Sequence, residues 1–304
     1  MRDDIMIIAF SFLFGLVVGS FINVLAFRYK EGKYVFSRRA LGGRSRCDHC
    51  EKVLSWYELL PLVSFIIQRG KCRNCAVNLS YFYPVSELVS GLFFAGVAHF
   101  FVSKSFGFFA IGMYGGKMAI VAAALIWASV FMVLLLIALI DYRLYLVPDD
   151  LVLVLFLLGA VWAGFLWLTS TDTILLQSFL GGYAALFGGP AALVWSRLLG
   201  CLVGTLVIAA IFFGSRGRAI GFGDVKLFAA LGLLFGYPDV LLLLFLSFVF
   251  GAIFSVPLLI RRMKGMKDFV PFAPFAVISS FCVFLFGGQL LAKYFVFWSA
   301  LLGL

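Results

Sequence analysis

The chain has 304 residues, of which 64% are apolar and 12% charged, with a mean hydropathy of +1.11. Soluble domains run nearer half apolar and a quarter charged, so a water-soluble enzyme, a disordered tail and a secreted disulfide scaffold are excluded. The formal charge of +10 fits either nucleic-acid binding or orientation in a bilayer, and the positions of the basic residues decide between them. Eleven of the 24 Lys and Arg lie between Arg28 and Arg73, and nineteen fall on alternate polar breaks against five on the others. That is the positive-inside bias of a cytoplasmic-membrane protein. The aromatic residues of the first basic loop are not interleaved with its charges as a base-stacking platform requires, so no nucleic-acid partner is expected.

In chain order, Ile5 to Phe27 reads as the first apolar helix. Arg2 is followed by Asp3 and Asp4 rather than by more positive charge, so this helix is retained rather than cleaved as a signal. The basic stretch from Arg28 to about Ser80 reads as a large cytoplasmic loop, which places the N-terminus outside. Tyr83 to Val102 returns outward, and Met118 to Ile140 comes back in, ending at Asp141. Leu151 to Leu168 goes out, and Leu198 to Phe213 comes in before Arg216 and Arg218. Val225 to about Phe235 climbs out, Val240 to Ile260 re-enters before Arg261 and Arg262, and Pro271 to about Gly288 leaves again. The fold class is thus an all-α polytopic membrane protein of about eight transmembrane helices, with a cytoplasmic cysteine-bearing loop between the first two. Thr173 to Trp195, interrupted by Gly188, Gly189 and Pro190, reads as a re-entrant or interfacial segment on the outer side, because a ninth crossing would violate the charge rule. The tail from Gln289 to Leu304 reads as interfacial as well.

Four of the six cysteines form two CxxC pairs, Cys47 with Cys50 and Cys72 with Cys75, inside the basic loop. Cytoplasmic thiols stay reduced, and two CxxC turns on a short hairpin set four sulfurs tetrahedrally for Zn²⁺. Four thiolates leave no position open for water, so the expected role of the zinc is structural. His49, inside the first pair, reads as a solvated loop residue. Cys201 and Cys282 lie in apolar spans as small core residues.

An ionisable group at membrane depth is costly and marks function. Asp3, Asp4, Glu31, Asp48, Glu51, Asp172, Asp239 and Asp268 fall in loops or at span ends and are set aside. Asp141 closes the apolar run from Phe131 to Ile140. Asp224 follows Gly221-Phe222-Gly223 and opens the next inner span, at the same depth on the same face. Glycines on both sides let backbone approach closely and leave room for an extended substrate strand. Two carboxyl groups brought together cannot both ionise, so such a pair titrates as a unit, one member activating water while the other protonates the peptide. The bland alternative is that Asp224 caps its helix and Asp141 pairs with Arg143 or Lys226. Asp149 and Asp150, directly after Pro148 and before an apolar run, read as helix caps. Glu87, inside a span after Pro84, is the better candidate for a second polar site.

Gly19-Ser-Phe-Ile-Asn23-Val24, the two cysteine pairs, Ser80-Tyr-Phe-Tyr-Pro-Val-Ser-Glu87, Ile140-Asp141 through Asp149, and Gly221-Phe-Gly-Asp-Val-Lys226-Leu227 occur together in this order. In this the chain resembles the bacterial type IV prepilin leader peptidases, over almost its whole length. The resemblance implies a membrane aspartic peptidase of the GxGD type that cuts the basic leader of type IV prepilins or type II secretion pseudopilins at the cytoplasmic face of the bacterial inner membrane. Asp141 and Asp224 would be catalytic, with Gly221, Gly223, Lys226 and Asp149 supporting them. It also implies methylation of the new N-terminal residue from S-adenosylmethionine in the N-terminal half, where Glu87 and Asn23 are the candidate polar site. Residues 1–117, with the zinc loop at 28–80, would form the methyltransferase part, and 118–304 a six-helix peptidase domain. The expected partners are a prepilin or pseudopilin helix and membrane lipid. The chain departs from the family at Leu59-Leu60-Pro61, where an Asn commonly precedes Ile-Pro, and in the apolar insertion between Leu168 and Leu198. An ion-coupled transporter and a non-enzymatic zinc-bearing scaffold for pilus or secretion assembly are the alternative classes. The absence of an evident inverted repeat counts against the transporter.

Overall fold

A computed structural model of the chain describes residues 2–37, 41–47, 49–103, 116–169, 178–188, 192–260 and 270–302. Of the residues singled out above, Asp48, Asp172, Thr173, Gly189, Pro190, Arg261, Arg262, Asp268 and Leu304 lie outside the described residues, as do positions 174–177. The helices are α1 Arg2–Arg28, α2 Val63–Ile67, α3 Phe82–Val102, α4 Gly116–Leu144, α5 Asp149–Thr169, α6 Leu193–Gly214, α7 Phe222–Phe235, α8 Asp239–Ile260 and α9 Ala273–Leu302, with 3-10 turns at Trp56–Leu59 and Gly181–Phe187. Among the described residues the only β pairing is two isolated bridges in the cysteine loop.

Seven of these helices, all but α2 and α7, are long and apolar enough to cross a membrane, where eight crossings were expected. The remaining one is α7, which runs back beside α6 to the end where α8 begins at Asp239. Its 14 residues rise about 21 Å, short of the roughly 30 Å of a bilayer's hydrocarbon core. Ten of those residues are buried, so α7 is a core helix wrapped by others rather than one that faces lipid. The outer helices do face lipid: Phe10, Leu13 and Val17 of α1 and Ile253 and Phe254 of α8 are all exposed, a surface that only an apolar solvent tolerates.

Helix pairing relies on small residues. In lipid, close backbone approach replaces the hydrophobic drive between helices. A Cβ at Gly200 would lie 2.5 Å from the Gly232 carbonyl oxygen, and one at Gly204 2.5 Å from that of Phe228, so α6 and α7 run antiparallel in direct backbone contact. Gly15 and Gly19 bring α1 equally close to Ser90, Gly91 and Glu87 of α3. Trp127 of α4 anchors an aromatic centre, its ring 4.7 Å from Phe284, 5.2 Å from Phe179 and Phe235, and 5.6 Å from Trp162.

Two peripheral segments complete the bundle. The tail is not a separate interfacial segment, because α9 continues unbroken to Leu302. Gly287 and Gly288 give room to the 178–188 segment: a Cβ at Gly287 would meet the Phe179 carbonyl oxygen at 2.7 Å. The described part of the 173–195 stretch forms only a turn and the short 3-10 helix, and its Phe179, Leu180 and Ala184 are buried in the bundle. Asp239, set aside above as a span end, is fully buried. Its carboxylate accepts hydrogen bonds from Ser178 Oγ and, at 2.8 Å, from the Phe179 amide, within Coulombic range of buried Arg197.

Candidate functional site

Asp141 and Asp224 come together. They are 5% and 8% exposed, lie within Coulombic range of one another, and line one cavity of about 660 Å³. Asp141 is in the last turn of α4, and its Oδ2 accepts the Ala273 amide at 3.0 Å, which ties it to the first turn of α9 rather than to Arg143 or Lys226. A helix's first amides have no partner inside the helix, so a carboxylate there satisfies one of them. Asp224 reaches back to the Gly221 amide with Oδ2 at 3.2 Å, so it does cap α7. Its Oδ1 is buried with no hydrogen-bond partner. One oxygen of Asp224 therefore fixes the side chain while the other is left for whatever enters the cavity.

The glycines flanking Phe222 differ in their surroundings. A Cβ at Gly223 would stand 2.9 Å from Val147 Cβ, whereas one at Gly221 would find nothing nearer than Asp224 Oδ2 at 3.5 Å. Gly223 allows the α4–α5 connection to press against α7, and Gly221 faces open space. Lys226 Nζ donates to both oxygens of Asp149 at 2.7 and 2.9 Å, and this exposed pair stands on the cavity wall.

The other wall was not anticipated. Tyr29, Glu31, Lys33 and Tyr34, from the segment just after α1, line the same cavity. Asp150, expected only as a cap, uses Oδ1 for the neighbouring Leu151 amide at 3.1 Å and Oδ2 for the Val35 amide at 2.7 Å, so it fastens that segment to α5. Arg143 adds a second fastening: it donates to the Ala26 carbonyl at 2.5 Å and lies 4.2 Å above the Phe27 ring. The one sequence signal for this wall is that the segment leaves α1 on the side where α4 ends. Burial, and then the carboxylates of Asp150, Glu31 and Asp149, push the Tyr29 phenol above its ordinary value.

The four loop cysteines also converge, with sulfurs within 4.8 Å of one another. The two knuckles repeat one geometry. The Cys47 amide donates to the Lys52 carbonyl and that of Cys72 to Val77. The residue after each second cysteine, Glu51 or Ala76, has a positive φ, and Arg46 bridges to Val53 as Lys71 does to Asn78. The backbone amides of Cys75 and Asn74 draw the Cys72 thiol down to about 6, and the Lys52 amide with the Asn74 side chain lowers Cys50. Four converging sulfurs held partly as thiolates fit a tetrahedral metal ion of zinc's softness.

Glu87 and Asn23 are neighbours but are already engaged. Glu87 Oε2 accepts the Leu62 amide at 2.9 Å, and Asn23 accepts from Ser86 Oγ at 2.7 Å and donates to the Tyr83 carbonyl at 3.3 Å. With Gly19 packed against Glu87 and Ser90, these side chains hold α1, α3 and the residue before α2 together.

Comparison with known proteins agrees with this arrangement. The model of the bacterial peptidase A24 N-terminal domain matches residues 13–101, and that of the type IV leader peptidase family matches residues 128–256. A prepilin leader peptidase/N-methyltransferase of Pseudomonas aeruginosa is 30% identical over 305 residues, covering 94% of this chain and 93% of its own. One of Burkholderia pseudomallei is 30% identical over 304 residues, covering 92% and 85%, and one of Bacillus subtilis is 28% identical over 283, covering 93% and 96%. No solved structure matches. With relatives aligned over nearly its full length and both halves matched in order, the chain belongs to the type IV leader peptidase family.

Proposed function

We propose that the chain is a membrane aspartic endopeptidase that removes the basic leader of type IV prepilins or type II secretion pseudopilins, with Asp141 and Asp224 as the catalytic pair. The observation that carries this reading is the single cavity lined by both carboxylates, one of which keeps an unpartnered buried oxygen. One carboxylate takes a proton from the attacking water while the other protonates the peptide carbonyl oxygen. The tetrahedral intermediate then collapses as the leaving nitrogen receives a proton. With Asp141 and Asp224, the carboxylates Glu31, Asp149 and Asp150 outnumber Lys33 and Lys226 in the cavity lining, a balance that favours the Lys and Arg of a leader. Gly221 leaves space beside Asp224 for an extended backbone.

The cysteine cluster holds a structural Zn²⁺ in this reading, since four thiolates leave it no open position. The cavity and the cysteine loop lie on the cytoplasmic side, supported by the distribution of Lys and Arg. The relatives' names pair the peptidase with an N-methyltransferase. We extend that activity to residues 1–117, with S-adenosylmethionine as methyl donor, beside a peptidase domain at 118–304. The test is incubation of the purified protein with a prepilin, with and without S-adenosylmethionine, followed by N-terminal mass analysis. Asp141→Asn and Asp224→Asn should each lower leader cleavage by roughly 10²–10⁴-fold while zinc content and membrane insertion persist. Retained cleavage in either variant would refute the pair.

A further inference from the structure

We propose that residues 56–67, the 3-10 turn and α2, lie in the headgroup–acyl boundary of the bilayer and moor the cysteine module to it. Outside the spans, this segment exposes an unusual amount of apolar surface: Trp56 is 76% exposed, Ile66 72% and Ile67 75%, with Leu59, Leu60 and Val63 also open. Val63, Ile66 and Ile67 share one face of α2. Water is a poor solvent for such a face, and a soluble loop does not carry it without something that covers it.

The occupant follows from depth. Glu87 lies in the second turn of α3, a membrane span, and its Oε2 holds the Leu62 amide at 2.9 Å. Leu62 takes a positive φ of 57° to meet it, a conformation a leucine adopts only when its surroundings impose it. The Phe65 ring packs 5.5 Å from Tyr81 at the start of α3. The apolar face is thus held at the level where α3 enters the membrane, and Val85 and Leu88 are exposed on α3 at the same depth. Trp56 and Tyr57 are the residues that favour the interface. Exposed Arg69, Lys71 and Arg73 follow α2 closely, in position for anionic headgroups. Together these features match an interfacial segment whose depth is set by Glu87.

The test incorporates the photoreactive residue p-benzoylphenylalanine at Ile66, at Ile67 or, as a control on the solvent side, at Lys52. The full-length protein is then irradiated in nanodiscs of phosphatidylethanolamine and phosphatidylglycerol, with and without prepilin, and analysed by intact mass. Phospholipid adducts at Ile66 and Ile67, several-fold above Lys52 and independent of prepilin, are expected. Equal adduct yields at all three positions, or adducts at Ile66 and Ile67 to prepilin rather than lipid, would overturn the mooring. Both substituted isoleucines are largely exposed, so the label displaces no packed side chain, and leader cleavage measured on the same samples keeps this test separate from that of the peptidase.

Discussion

Gly221 and Gly223 flank the same phenylalanine, yet only one is held in place by its neighbours. An added methyl at 223 strikes Val147 at 2.9 Å, so Gly223→Ala should push the α4–α5 connection away from α7 and separate Asp141 from Asp224. Misplacement by about 1 Å costs on the order of 10²-fold in rate. The expected outcome is a loss of that size for Gly223→Ala and no more than a few-fold change for Gly221→Ala, read as cleavage rates by mass analysis. Equal losses would contradict the geometry. Sequence made both glycines conspicuous but did not rank them, because the ranking depends on Val147, far away in the chain. The same holds for the acids. Asp141 and Asp224 stood out by their depth, whereas Asp150 looked like any helix cap until its second oxygen met the Val35 amide.

Among the elements, apolar runs marked the spanning helices to within about five residues except at the end of α9, because a bilayer leaves a chain few other options. What composition did not reveal is that α7 is shorter than the other spans and sheathed by helices, since an apolar stretch buried among helices and one bathed in lipid have the same composition. Nor did it reveal that the 178–188 segment on the outer edge is tied to α8 through Asp239. Asp239→Ala leaves Arg197 buried without its counter-charge and the Phe179 amide without an acceptor. Leaving a buried donor without its acceptor costs about 1–3 kcal/mol. The variant should therefore melt well below the parent in detergent, and Asp239→Asn, which keeps an acceptor oxygen, should lie between the two. A melting temperature unchanged in Asp239→Ala would show that the cluster does not stabilise the outer edge.

At the scale of the whole molecule, the cavity is a joint product of both halves: α4, α5 and α7 supply the aspartates, and the segment after α1 closes the other side. A cavity whose carboxylates outnumber its ammonium groups draws in a basic leader through screened Coulomb forces. Raising salt from about 0.01 M to about 1 M shortens the Debye length from about 30 Å to about 3 Å. KM for a basic leader should then rise several-fold while kcat holds, and a KM indifferent to salt would remove these charges from recognition. The backbone contact of α6 with α7 carries a further consequence. Gly200 faces Gly232 and Gly204 faces Phe228, and the same register sets Asp224 opposite Ile208, about 9 Å short of the end of α6 at Gly214. At about 3.3 Å per extended residue, that depth corresponds to roughly three residues of substrate between the end of α6 and the aspartates. The bundle thus works as a ruler, measuring how far inside its rim a leader is cut.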